Sequence, residues 1–188
     1  MTAPNSLTPP LPPVKLDFVA ALLSYLVPGL GQMTQGRVGK GTLFLVALYA
    51  LFFYGMSLGS FQNVYLPDNH HDDKGGGINR LGADLYTRFQ FVGQFPIGMA
   101  AWPAVYQYWV YKPDAKTEPL SIRGFQRAPD LDQLNDLQRN GDKTWDLGWV
   151  YTVIAGVLNV LVIYDALAGP AFRRDPSAPE PEPKATAV

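Results

Sequence analysis

Four stretches of the chain contain no charged residue, and each is long enough to form a helix that crosses a bilayer. They are Phe18–Gly36, Gly41–Phe61, Phe89–Tyr111 and Leu147–Tyr164. A hydrocarbon core of about 30 Å is crossed by about 20 helical residues. The stretches are apolar on every side, unlike the helices at the surface of soluble proteins. The pattern predicts an all-α, polytopic membrane protein with four transmembrane helices, at about 16–34, 41–61, 89–111 and 147–167.

Proline-rich tails flank this predicted membrane domain of residues 16–169. Residues 1–15 contain five prolines, and residues 170–188 are rich in proline and glutamate. Proline has no amide proton to give to a helix, so we expect both tails to be disordered.

Glycine and proline shape the predicted helices. Pro28 and Gly29 mark an end or a kink in the first helix, and Pro96 and Pro103 predict kinks in the third. Small residues four positions apart allow helices to approach closely. The positions expected to pack in this way are Gly55, Gly59, Thr152 and Gly156.

Composition narrows the class of protein further. The 188 residues carry a formal net charge of −1 and include no cysteine. The charge gives no broad field that attracts nucleic acid, and the missing thiols exclude disulfides and thiolate chemistry. With four crossings, the first and third connections share one side and hold eight Lys and Arg, against seven on the other. The positive-inside tendency then predicts that both termini lie outside the cytoplasm.

Two segments carry a resemblance to known families. Pro28-Gly29-Leu30-Gly31-Gln32, followed by Gly36-Arg37 and Lys40-Gly41, is similar to the two-transmembrane-helix hairpin domain of small bacterial membrane proteins. Together with Asp146-Leu147-Gly148-Trp149-Val150-Tyr151-Thr152, Ala155-Gly156-Val157-Leu158-Asn159 and Ile163-Tyr164-Asp165-Ala166, it resembles an uncharacterised bacterial membrane-protein family, a domain of unknown function. The resemblance implies a multi-pass protein of the bacterial cytoplasmic membrane and supplies no activity.

Asn159 and Asp165 are the polar side chains of the fourth predicted helix. An ionisable group at membrane depth is costly and suggests a function. The two residues are six apart and do not share a helix face. A structural hydrogen bond or ion pair with Arg173, Arg174 or another helix is favoured for Asp165 over a role in transport. Asn159 is expected to bridge helices.

Gln32, Gln35, Arg37 and Lys40 form the polar turn between the first two predicted helices. The basic pair has two interpretations: it binds lipid phosphates or the acidic loop of a partner, or it anchors the turn in the cytoplasm. The second interpretation is favoured.

Residues that suggest metal or enzyme chemistry are few. His70-His71-Asp72-Asp73 has ligand chemistry, but adjacent histidines in a loop rich in glycine favour a solvated loop over a metal site. The Walker, zinc-protease, nucleophile-elbow and dinucleotide signatures are absent. We therefore expect no catalytic residues, no metal and no cofactor.

The sequence predicts an integral membrane protein that is a structural or interaction component of a membrane complex. Its expected partners are the lipid bilayer and either further copies of the chain or another membrane protein. The alternative is a small transporter or channel subunit that uses Asn159 and Asp165.

Overall fold

A computed structural model describes residues 16–66, 82, 85–110, 125–127, 135–136, 139 and 143–169. These residues form helices, turns and short connections without a strand, so the all-α prediction is confirmed for this part of the chain. The helices are α1 (Phe18–Leu26), α2 (Leu30–Thr34), α3 (Val38–Leu58), α4 (Phe89–Gln94), a 3₁₀ helix (Phe95–Ala101), α5 (Trp102–Val110) and α6 (Lys143–Ala168).

The two longest helices, α3 and α6, pack side by side in opposite directions. Gly55 near the end of α3 lies against Gly148 near the start of α6, while Arg37 before α3 binds Asp165 near the end of α6. Within the described ranges, these two helices alone are long and apolar enough to cross a membrane. We name the two ends of the pair the Asp165 end and the Trp145 end.

The first predicted helix folds back on itself. α1 starts at the Asp165 end, where the amide of Asp17 donates to a carbonyl of α6 at 3.0 Å. Pro28 and Gly29 follow it, and Gly29 has a φ of 86°, which residues with a Cβ rarely adopt. The chain reverses into α2 and returns to its starting end, where Gln35 reaches Asp17. The single helix predicted over 16–34 is therefore a helical hairpin, named the first hairpin.

The third predicted helix also folds back, but from the Trp145 end. α4 follows Arg88, whose guanidinium lies 5.6 Å from the centre of the Trp145 ring. The chain breaks at Gly98, where φ is 83° and ψ is −135°. α5 then returns towards the Trp145 end. There Gln107 donates to the carbonyl of Phe125, whose ring stacks on that of Phe61, just beyond the end of α3. In place of the helix predicted over 89–111, α4, the 3₁₀ helix and α5 form the second hairpin.

The tips of the two hairpins meet beside the long helices. Gly98 lies directly against the carbonyl oxygens of Tyr25 and Leu26, where a Cβ would collide. The rings of Tyr25 and Phe95 are 6.0 Å apart. Along the sequence each hairpin precedes a long helix, and the two halves run in opposite directions. Buried apolar side chains fill the space between them, including Phe52, Met56, Ile97, Ala101 and Ala155.

The long helices differ from their predicted bounds at their ends. α3 covers 38–58 rather than 41–61, and α6 covers 143–168 rather than 147–167. Lys143 and Asp146 lie in the first turn of α6. Because both are charged, the charge-free pattern places the start of this helix too late in the sequence. The predicted tails of residues 1–15 and 170–188 and the segment His70-His71-Asp72-Asp73 lie outside the described residues.

Candidate functional site

Asp165 is the centre of an ion cluster at the Asp165 end. Its carboxylate oxygens accept from Nη2 of Arg37 at 2.7 and 3.0 Å and from Nζ of Lys40 at 2.7 Å. Nε2 of Gln32 donates to the same carboxylate at 3.2 Å. Arg37 and Asp165 are each partly buried, whereas Lys40 is more exposed. The structure thus brings four predicted residues together, with Arg37 and Lys40 as the cationic partners of Asp165.

Gln32 links this cluster to the inside of the first hairpin. Its side chain is completely buried, and Nε2 also donates to the carbonyl of Val162 at 2.8 Å. Its Oε1 accepts from Oγ of Ser24 at 2.9 Å, and that hydroxyl oxygen accepts from the amide of Gly31 at 3.1 Å. The polar groups of the hairpin are therefore paired with one another and with α6, which stabilises the hairpin against the long helix.

Asp17 and Gln35 make a second connection at the same end. Asp17 caps α1, accepting from the amide of Ala20 at 3.0 Å, and Gln35 donates to Asp17 at 3.2 Å and to Ala166 O at 2.7 Å. The bond from Ala20, followed by that from Gln35, holds the pKa of Asp17 below its usual range. The role of Asp17 was missed from the sequence, although an Asp before an apolar run is a helix-start signal.

Asn159 joins the tips of the two hairpins. Its Nδ2 donates to Ser24 O at 3.1 Å and to Pro96 O at 2.8 Å. Ser24 O is available because its helical donor would be residue 28, and Pro28 has no amide proton. The side chain of Asn159 is completely buried, and its Oδ1 has no hydrogen-bond donor among the described residues.

A third buried polar group lies nearer the Trp145 end. Nε2 of Gln94 donates to Thr152 Oγ1 at 2.7 Å and to Asn63 O at 3.2 Å. Nδ2 of Asn63 donates to Gly55 O at 2.9 Å. Thr152, expected to be a packing residue, therefore also accepts a hydrogen bond. Gln94 and Asn63 were missed, since an isolated amide in an apolar sequence gives no sign of its partner.

The predicted glycine positions lie at close backbone contacts. A Cβ on Gly55 would lie 2.7 Å from Gly148 O, and one on Gly156 would collide with Gly93 O. A Cβ on Gly59 would meet the side chain of Asn63. Gly55 and Gly156 thus allow backbone contact between helices, while Gly59 leaves room for the amide.

Arg88 occupies an aromatic environment at the Trp145 end. Its guanidinium lies 3.5 Å from the centre of the Tyr65 ring and donates to the Tyr65 hydroxyl. Burial lowers the pKa of Arg88, and the contact with Tyr65 opposes that change; burial also raises the pKa of Tyr65. Stacking of a cation on an aromatic face compensates for part of its lost hydration. Sequence reasoning did not select Arg88, because nothing local indicates its contact with Tyr65.

The described residues hold no group of three or more His, Cys, Asp or Glu side chains suited to a metal ion. The expectation about the two histidines is untested, because they lie outside the described residues. The described side chains of the site offer hydrogen bonds and charge pairing.

Fold and site together define a helical protein in which two folded-back hairpins pack against a pair of long apolar helices. Residues 19–177 match a family of unknown function, DUF6677, and the chain belongs to this family. The expectation of an uncharacterised family is thereby confirmed. No solved structure matches the chain.

One similar protein is an uncharacterised protein, MJ1516, of Methanocaldococcus jannaschii. The two are 48% identical over 33 residues, which cover 18% of this chain and 33% of the relative. The chain thus spans about a third of the length of that relative. The relative is archaeal, so the expected bacterial origin gains no support from it.

Proposed function

We propose that this chain is an integral membrane protein and serves as a structural or interaction component of a membrane complex. The observation that supports membrane insertion is that large apolar side chains are exposed while polar side chains are buried. Leu43 on α3 and Leu161 on α6 are 64% and 62% exposed, while Gln32, Gln94 and Asn159 are completely buried. A protein in water turns polar side chains outward, whereas in lipid the polar groups are satisfied inside.

The spacing along α6 agrees with a bilayer. Trp145 and Asp165 are 20 positions apart, which corresponds to about 30 Å along a helix and to the thickness of a hydrocarbon core. Trp145 with Arg88 then lies at one interface, and the ion cluster of Asp165 lies at the other. Both are environments where aromatic and charged side chains are stable.

The surroundings of Asp165 support a structural role. Two cations and one amide occupy its carboxylate, so the charge serves to hold the first hairpin against α6. Proton transport requires a carboxylate that exchanges its proton during the cycle, and salt bridges to Arg37 and Lys40 oppose protonation. We accordingly assign Asp165 to assembly, and we propose that the protein is not an enzyme.

The experiment is purification at native abundance in a mild detergent, with mass measurement and identification of whatever copurifies. We expect a stable assembly, either of several copies or with another membrane protein. A Leu161→Ala variant, which changes the exposed face of α6, should weaken it, and Leu48→Ala, inside the core, is the control for altered stability. A monomer without any partner at native abundance would contradict the proposal.

A second candidate is a small transporter or channel subunit, and the hairpins favour it. They enter from opposite ends and meet at Asn159, and discontinuous helices in two inverted halves are typical of transporters. Measurement of ion flux in liposomes containing the purified protein would test this. Flux that disappears in Asn159→Ala, with the protein still folded, would favour this candidate over the first.

We also propose an orientation. The connecting sequences 59–88 and 111–143 start and finish at the Trp145 end and hold nine Lys and Arg, against six in the remaining sequence. In a cytoplasmic membrane, the positive-inside tendency then puts the Trp145 end on the cytoplasmic side and both termini on the outer side. A fluorescent reporter that matures only in the cytoplasm, fused to the C-terminus, should stay dark.

A further inference from the structure

Backbone carbonyl groups from both hairpins converge where the tips meet. Ser24, Tyr25 and Leu26 are the last residues of α1. The amide that would continue the helix to Leu26 O belongs to Leu30, and it donates to Val27 O instead. The carbonyls of Tyr25 and Leu26 face Gly98 of the second hairpin, which itself contributes Pro96 O.

Electrostatics at this junction favour a positive charge. The C-terminal end of a helix carries a partial negative charge from its unpaired carbonyls, and α1 ends here. Of these oxygens, Ser24 O and Pro96 O each accept one bond from Asn159. A carbonyl oxygen has two lone pairs, so one bond does not exhaust it.

Asn159 contributes a further oxygen. Its Oδ1 is attached to the same carbon as the Nδ2 that touches both hairpins, so it lies at the junction. It is completely buried and has no donor among the described residues. Leaving a buried amide oxygen without a partner is unfavourable, and a cation is one kind of group that would remove this cost.

We propose that the junction of the two hairpins at Asn159 binds a monovalent cation of the sodium class through amide and backbone carbonyl oxygens. The donors are neutral hard oxygens, which suit an alkali cation better than a transition metal. The nearest acidic group on α6, Asp165, is held by Arg37 and Lys40, so little negative charge is left for a divalent ion. The site goes beyond the structural role proposed above and does not depend on any partner.

The test uses the purified full-length chain in detergent. Binding of radioactive sodium is measured by scintillation proximity, and thermal unfolding is followed by tryptophan fluorescence in sodium, potassium or choline chloride at equal ionic strength. We expect saturable binding of one sodium ion per chain and a higher Tm in sodium than in choline. Asn159→Ala should weaken the binding at least about tenfold.

Two variants separate this site from its neighbours. Gln94→Ala removes another buried amide on the same side of α6 and should keep the sodium dependence, although it lowers Tm. Asn159→Asp keeps an oxygen and adds charge, so it should bind sodium more tightly. If Asn159 were only a hydrogen-bond donor to Ser24 O and Pro96 O, Asn159→Asp would be destabilised equally in every salt.

Several results would overturn the proposal. They are absence of saturable sodium binding to the unmodified chain, unchanged binding in Asn159→Ala, or loss of binding in Asp165→Asn with retention in Asn159→Ala. If Asn159→Ala does not fold, the unmodified chain and Asn159→Asp decide the outcome. Because partner capture is not used, failure here leaves the structural proposal standing.

Discussion

Nη2 of Arg37 lies 2.7 and 3.0 Å from the two carboxylate oxygens of Asp165, although the residues are 128 positions apart. This pair joins the turn after the first hairpin to α6. Both side chains are partly shielded from solvent. The pair therefore belongs between the exposed ion pairs, which contribute little, and the buried ones, which are costly to break.

Asp165→Asn should destabilise the protein by about 1–2 kcal/mol, because Arg37 loses its counter-charge while remaining partly buried. Lys40→Gln should cost less, at most about 0.5 kcal/mol, since Lys40 is more exposed. Thermal unfolding in detergent and the yield of monodisperse protein measure both effects. Removing both charges with Arg37→Gln in the Asp165→Asn background should recover part of the loss. An Asp165→Asn protein that is as stable as the unmodified chain would contradict the structural role.

Gly98→Ala should destabilise the protein by about 3 kcal/mol or more, or prevent its accumulation. The residue has a φ of 83°, and a Cβ would collide with Tyr25 O. Gly39→Ala is the matched control, because nothing lies within 4 Å of its Cβ position in α3. That control should be neutral or up to about 1 kcal/mol more stable. Equal Tm values for the two variants would mean that the hairpin tips do not meet.

Ser24→Ala should cost about 1–3 kcal/mol, because the Gly31 amide and Gln32 Oε1 lose their buried partner. The control is Ser57→Ala, whose hydroxyl is exposed and donates to the carbonyl of Tyr54. We expect the control to change stability by less than about 0.5 kcal/mol. Denaturant or thermal unfolding of both variants checks the difference, and a Ser24→Ala loss no greater than that of Ser57→Ala would argue against the buried pairing.

Asp17 should contribute a dependence of stability on pH. The pKa of its carboxyl is lower in the folded chain than its ordinary value, so the ionised form is stabilised by folding. That stabilisation is complete above the ordinary pKa, about 4, and is lost as the pH falls through the lower folded value. Asp17→Asn keeps a capping side chain without the charge. The Tm difference between the unmodified chain and this variant should shrink as the pH falls from 6 towards 3, and a constant difference would contradict the prediction.

The hairpin arrangement predicts which side of a membrane each turn faces. The chain contains no cysteine, so single cysteines can be introduced without background. A membrane-impermeant maleimide should label Gly39→Cys from the same side as Leu16→Cys, and Ser57→Cys from the opposite side. Four crossings would instead put residues 16 and 39 on opposite sides. Labelling of intact and opened vesicles distinguishes the two.

The long helices were largely predictable, because composition alone determines whether a helix is apolar enough to span. α3 is charge-free except for Lys40, and α6 is charge-free from Leu147 to Tyr164. The hairpins were not predictable from composition, because a stretch that folds back on itself contains the same kinds of residues as one straight helix. Pro28 and Pro96 indicated breaks, but the change of direction depends on contacts with α6, which are more than 60 positions away for Pro96.

The residues of the candidate site were predictable from the sequence, but the contacts between them were not. Gln32, Arg37, Lys40, Asn159 and Asp165 stood out as polar groups in apolar surroundings. Which cation faces Asp165 depends on the return of α2, and the sequence left Arg173, Arg174 and another helix as alternatives. Ser24 was overlooked, since its role follows from the proline four positions later.

The contacts between the first hairpin and α6 have a consequence for the synthesis of the protein. Gln32 and Asn159 connect the hairpin to α6, which is synthesised after the other described helices. Until α6 arrives, Gln32 lacks its acceptor at Val162, and Ser24 O lacks its donor. In the membrane protein proposed above, a nascent chain that ends before residue 143 would hold these polar groups in lipid without their partners, and we expect quality-control proteases to degrade it. The arrival of α6 thus completes the polar pairing of the first hairpin, and chains truncated before α6 should be degraded rather than accumulate.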